Sequence, residues 1–203
     1  MKQGALLLSI GFLLACPTIA SSCSIPYCNV GTIAPTQTYT VVDGSVDVTG
    51  SFYGFSANFT DYVRIYDVTT QTAGPWIFDN QTAVAGDFGD FGSFGTGDTI
   101  VFELWDQNTN DIFASDPAYS GDSQNHAYGY NTLVTISSGS VFIGMEDLDQ
   151  AQQTDWDYND LEFFAYDVQM GNSGKVATPE PATFLLLGAG ILAGLSRIQK
   201  VKG

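Results

Sequence analysis

Gly144-Met-Glu-Asp-Leu-Asp-Gln-Ala-Gln-Gln-Thr-Asp-Trp-Asp-Tyr-Asn-Asp-Leu-Glu-Phe-Phe164 is a polar loop held between two apolar runs. Val141, Phe142 and Ile143 lead into it as the end of one strand. After it, Leu161, Phe163 and Ala165 alternate with Glu162 and Tyr166 as the start of another. Inside the loop Asp155, Asp157, Asn159 and Asp160 stand at alternating or adjacent positions, with Glu146 and Asp147 across from them. Carboxylates this close repel one another unless a cation sits among them. Hard oxygen ligands favour calcium, which takes six to eight oxygens in flexible geometry. The pattern is not an EF-hand. Asp155, Asp157 and Asn159 match its first, third and fifth positions, but Asp160 stands where glycine is required and Tyr166 where glutamate is. The plain alternative is a solvated acidic turn whose Asp and Asn side chains cap the backbone.

Outward from this loop the chain reads as β structure. Its 203 residues include 22 glycines, with abundant Thr, Tyr, Phe and Val. Alternating runs occur at 51–57 and 62–68. In the second, Tyr62, Arg64 and Tyr66 share one face and Val63, Ile65 and Asp67 the other. Thr99-Ile-Val-Phe-Glu-Leu-Trp105 is a buried strand, and Trp76-Ile77-Phe78 a short one. Val41, Val42, Val46 and Val48 around Asp43-Gly44 predict a hairpin. Gly86 to Gly97 reads as a turn-rich connection, and 106–122 as a polar loop. His126-Ala127-Tyr128 leads into a strand at 132–136, a turn at Ser138-Gly139, and the strand ending at Met145. At least seven strands at these spacings predict an all-β fold: a single antiparallel β-sandwich, jelly-roll-like, over residues 39–168.

The two ends differ from this body. Lys2, the apolar run 5–15 and the small residues around Ala20 predict a helical secretory signal over residues 1–20. Leu13-Leu14-Ala15-Cys16 is a second reading, a lipoprotein box. Residues 21–38 form a lead-in, in which export favours a disulfide between Cys23 and Cys28. Residues 169–178 read as a polar linker. Then come Pro179-Glu180-Pro181, the apolar stretch 182–195, which predicts a short helix, and the basic residues Arg197, Lys200 and Lys202.

Charge follows the same division. Of the 22 acidic residues, all but Glu180 lie between Ser21 and Gly174, where Arg64 is the only Lys or Arg. A body so acidic repels nucleic acid and anionic membranes. Arg64 is either a clamp for an anionic ligand or one half of a structural ion pair. His126 is the only histidine, so any triad must use it, and no Gly-x-Ser-x-Gly elbow is present. Carboxylate pairs for glycoside hydrolysis arise by chance among so many acids. Trp156, between Asp155 and Asp157, either offers its face to a sugar ring or pins the loop to the core.

The C-terminal end resembles a PEP-CTERM sorting signal, matching at Pro179, Glu180, Pro181, the apolar run and basic Arg197 and Lys200. That resemblance implies an exosortase partner in exopolysaccharide-producing Gram-negative bacteria. It also implies a transient membrane anchor over 179–203 and delivery to the cell surface or matrix. The body resembles a β-rich exported domain marked by Glu-Asp-Leu and, after a gap, Asp-x-Asp-Tyr-Asn-Asp-Leu, here Glu146-Asp147-Leu148 and Asp155 to Leu161. It implies a calcium site and no known reaction. The expectation is an exported, non-catalytic, calcium-stabilised surface or matrix protein. A module binding exopolysaccharide is the alternative, and a secreted hydrolase the third reading.

Overall fold

A computed structural model of the chain describes residues 27–131 and 139–171. The signal segment, Cys16, Cys23, the strand expected at 132–136 and the tail from residue 172 lie outside the described residues. The described residues form eleven strands: β1 Thr38–Val41, β2 Val48–Gly54, β3 Asp61–Asp67, β4 Thr72–Ala73, β5 Phe88–Gly92, β6 Thr99–Asp106, β7 Asp111–Ala114, β8 Ala127–Asn131, β9 Ser140–Met145, β10 Leu161–Tyr166 and β11 Val168–Gly171.

They form two antiparallel sheets that do not close into a barrel. The first has the order β11-β1-β6-β3-β4, with β7 also paired to β6. The second runs β5-β2-β10-β9-β8. The inward residues follow the period of two that the sequence carries. Val63 and Ile65 of β3, Phe102 and Leu104 of β6, and Leu161, Phe163 and Ala165 of β10 are all fully buried. The sheets meet through aromatic contacts, with Phe102 of the first lying 5.4 Å from Phe163 of the second. The architecture is the sandwich expected.

Four local expectations are corrected. The valines around Asp43-Gly44 do not make a hairpin, because β1 and β2 belong to different sheets. The turn's donors are used elsewhere: Asp43 N–H donates to the Asp167 carboxylate at 3.0 Å and Gly44 N–H to Thr96 Oγ1 at 2.7 Å. Gly86 to Gly97 contains β5, paired to β2. Gly89 serves close packing there rather than a turn, since a Cβ on it would lie 2.6 Å from Ile77 Cδ1. The segment read as a linker from 169 begins as strand, because β11 pairs with β1 through Gly171. Similarly, β7 lies within the stretch read as a polar loop.

β3 and β6 pair with Asp61 opposite Asp106 at their common end. β9 and β10 pair with Met145 opposite Leu161, so the Glu146–Asp160 loop leaves the second sheet at that same end of the sandwich. Acidic side chains of both sheets therefore converge.

Candidate metal centre

The loop is folded by its own alternation. Glu146 and Asp147 follow β9 directly. A short 3-10 turn, Gln150–Gln152, is capped by Asp149, whose Oδ1 accepts from Gln152 N at 2.8 Å while Gln152 Oε1 accepts from Asp149 N at 2.9 Å. The return segment places Gln153, Trp156 and Tyr158 at φ of 70°, 52° and 59°, in the left-handed region that non-glycine residues seldom adopt. Packing holds this backbone in place. Trp156 and Tyr158 point inward and are buried with Tyr27 and Ala34 from the lead-in. Tyr158 Oη donates to Asn125 O at 3.1 Å and accepts from Ala34 N at 2.7 Å. The alternate residues, Asp155, Asp157 and Asn159, are left on the other side. Gly144 makes room for the fold-back, because a Cβ there would lie 2.2 Å from Tyr158 O.

Two groups of carboxylates result. One oxygen each from Glu146, Asp147 and Asp160 lie within 4.8 Å of one another, and so do oxygens of Glu146, Asp155 and Asp157. Glu146 belongs to both. Glu146 and Asp147 are 1% and 3% exposed, which removes water as a means of screening their repulsion. Beneath them lies Asp61, fully buried, with Asn80 Nδ2 donating to its Oδ2 at 2.7 Å. Asp106, its cross-strand neighbour, is held by its own turn through Asn108 N at 2.7 Å and Thr109 Oγ1 at 2.6 Å.

No cationic side chain compensates this charge. Among the described residues Arg64 is the only Lys or Arg, and it pairs with Glu103 at 2.6 Å across β3 and β6 while lying over the Trp76 ring. The electrostatic consequence is strong. Burial first, and then the Asp160 charge, pushes Glu146 up to about 8. Burial and Asp147 do the same to Asp160, also to about 8. Burial first, then the charges of Asp106 and Asp160, raises Asp61, while its hydrogen bond with Asp147 works the other way; burial and the Asp61 charge raise Asp147. Two buried oxygens, Glu146 Oε2 and Asp61 Oδ1, have no hydrogen-bond partner.

Unpaired hard oxygens in a common region are the donor set of a hard cation. The centre contains no sulfur and no imidazole nitrogen, which sets it apart from a structural zinc site. A cleft of about 280 Å³, lined by Ser56, Ala57, Asn58 and Phe59 together with the acidic loop, gives access from solvent. The residues present fit a divalent metal.

Glu146, Asp147, Asp155, Asp157 and Asp160 are brought together in these two groups. Asn159 plays a different part, its side-chain amide donating to the Asp157 carboxylate and orienting it. Asp61, Asp106 and Asn80 were not anticipated. The visible signal is parity: Asp61 shares the inward register of Val63 and Ile65, and Asp106 that of Phe102 and Leu104. Trp156 presents no face to a sugar. It is 6% exposed and packs 5.0 Å from the His126 ring, so its role is the pin. His126 is sealed as well. Its Nδ1 bonds Glu146 O and its Nε2 bonds Asp122 Oδ2, both at 3.0 Å, and burial lowers its pKa. Cys28 is disulfide-bonded.

Comparison with known proteins adds one element. Residues 177–199 match the PEP-CTERM protein-sorting motif, covering Pro179, Glu180, Pro181 and Arg197 of the expected signal. The motif marks an exported chain that is processed by an exosortase and anchored in the membrane through its C-terminal segment on the way to the cell surface. No curated protein and no solved structure matches the chain. Among the described residues no helix is long and apolar enough to cross a membrane.

Proposed function

We propose that the sandwich is a non-catalytic surface or extracellular-matrix domain whose acidic end is closed by calcium after export. The observation that carries this reading is Glu146. Its Oε2 is buried and unpartnered among four other carboxylates, and among the described residues the one Lys or Arg, Arg64, is engaged with Glu103. An isolated buried carboxylate is costly, and a dication converts that cost into a stabilising contact. Affinities of about 10⁻⁴–10⁻³ M are common for extracellular calcium modules, so such a site fills outside the cell. The only histidine has both ring nitrogens engaged, which supports a structural role over base catalysis.

A thermal melt of the exported, processed protein in calcium and in chelator tests the reading. Ligand at a hundred times its Kd adds about 2.7 kcal/mol, or roughly 10 °C for a domain of this size. Identical melts would refute it.

A second reading, binding of exopolysaccharide, has one observation in its favour. The outward face of the second sheet carries Tyr53 and Phe88, 46% and 75% exposed, and the Phe88 ring stacks on Tyr166 with centroids 6.0 Å apart. Rings of this kind stack on sugar faces. Retention of the protein on isolated exopolysaccharide, lost in Phe88→Ala, would support it. Equal retention of both would remove that contact.

A further inference from the structure

We propose that the acidic end holds two divalent cations, one on each side of Glu146, and that the inner one ties the two sheets together through Asp61. This rests on the calcium reading above and extends it to residues of the first sheet.

The two groups already described share only Glu146. The outer one, Glu146 with Asp155 and Asp157, belongs wholly to the loop, and Asp155 is exposed. The inner one, Glu146 with Asp147 and Asp160, lies over Asp61 of the other sheet, whose carboxyl meets that of Asp147. Two buried oxygens have no partner: Glu146 Oε2, on the residue that the groups share, and Asp61 Oδ1, on the residue beside the inner group. Two further oxygens there are already engaged. Asn80 donates to Asp61 Oδ2 at 2.7 Å, and Asp147 N donates to Asp160 Oδ2 at 2.9 Å. Asp106 is fully engaged by its own turn, so it contributes field rather than a ligand.

Charge favours more than one ion once the cluster's protons are displaced. Asp61, Glu146, Asp147, Asp155, Asp157 and Asp160 carry six negative charges when ionised, and one dication leaves four of them uncompensated in a largely buried site. Two dications leave two, on the more exposed outer rim. Asp61 and Asp106 also face each other across β3 and β6, a like-charge pair that destabilises a sheet unless a cation offsets it.

The test is calcium stoichiometry, read by isothermal titration and by metal analysis after dialysis, on the exported, processed protein. We expect two calcium ions per chain, one in Asp61→Asn and one in Asp157→Asn, with folding followed by circular dichroism. One ion in the wild type, unchanged by Asp61→Asn, overturns the inner ion and leaves the calcium reading standing. No ion in the wild type overturns both. Two ions in both wild type and Asp61→Asn overturns the role of Asp61. Should Asp61→Asn not fold, the wild-type count and a count of one in Asp157→Asn still decide the number of ions.

Discussion

Calcium binding to this domain should be coupled to proton release, by an amount the geometry sets. Glu146 and Asp160 are pushed up to about 8 in the metal-free fold, first by burial. At pH 7 each is therefore about nine-tenths protonated. Asp61 and Asp147 are both raised, first by burial, and the hydrogen bond between their carboxyls needs one proton held between them. The metal-free cluster then carries about three protons at pH 7, which a dication must displace. The apparent Kd should tighten by about 10³ between pH 6 and pH 7, because each displaced proton contributes a factor of ten per pH unit below the pKa. Isothermal titration in two buffers of different ionisation enthalpy counts the protons directly. The same shifts set the metal-free stability. A carboxyl whose folded pKa is raised binds more protons folded than unfolded, so its contribution is complete below about pH 4 and is lost as pH rises through about 8. In chelator the melting temperature should therefore fall steadily from pH 5 to pH 8, and in saturating calcium it should not. Release of less than one proton at pH 7, or a metal-free melt that is flat across that range, would refute the argument from buried, unpaired carboxylates.

Four further outcomes are expected. Asp157→Ala should lower the melting temperature in calcium yet leave it unchanged or raised in chelator, since it removes a ligand and a repulsion together; equal loss in both would make the residue structural without metal. Tyr158→Phe deletes the hydroxyl shared by Asn125 O and Ala34 N, leaving a buried N–H without a partner, and should cost about 1–3 kcal/mol equally in calcium and chelator by denaturant melts. Gly144→Ala puts a methyl against Tyr158 O and should displace the loop, weakening calcium binding at least tenfold in titration and lowering the melt in both conditions. Replacing Pro179, Glu180 and Pro181 by alanine should leave the chain unprocessed and in the membrane fraction, read as slower migration on a gel.

Most strands were legible because their inward residues keep a strict period of two, as in Val63 and Ile65 or Leu161, Phe163 and Ala165. What was not legible depends on contacts between distant segments. The valines beside Asp43-Gly44 look like two arms of a hairpin until Asp167 and Thr96 take the turn's donors. The glycines of β5 look like turns until Gly89 is seen lying against Ile77. The carboxylates of the loop were legible because they are neighbours in sequence, and Trp156 was legible only as a choice between two orientations. The left-handed backbone at 156 and 158 decided that choice by sending both rings inward.

Asp61 shows why parity alone could not have completed the site. Asp61, Asp67 and Asp106 all sit at inward positions at the ends of β3 or β6, and all are buried. Asp67 is satisfied by Thr69 N and the Thr70 hydroxyl, and Asp106 by the equivalent bonds from Asn108 and Thr109. Both stand four residues before the chain's next strand-linking turn is complete, in the same Asp-x-x-Thr arrangement, and both stabilise that turn. Asp61 is preceded by Thr60 and followed by a strand, so it has no turn of its own to cap. Its second oxygen is left for whatever the opposite sheet presents, and what that sheet presents is more carboxylate. An inward aspartate at a strand end without a following Asp-x-x-Thr turn is therefore the sequence feature that separates a candidate ligand from a cap.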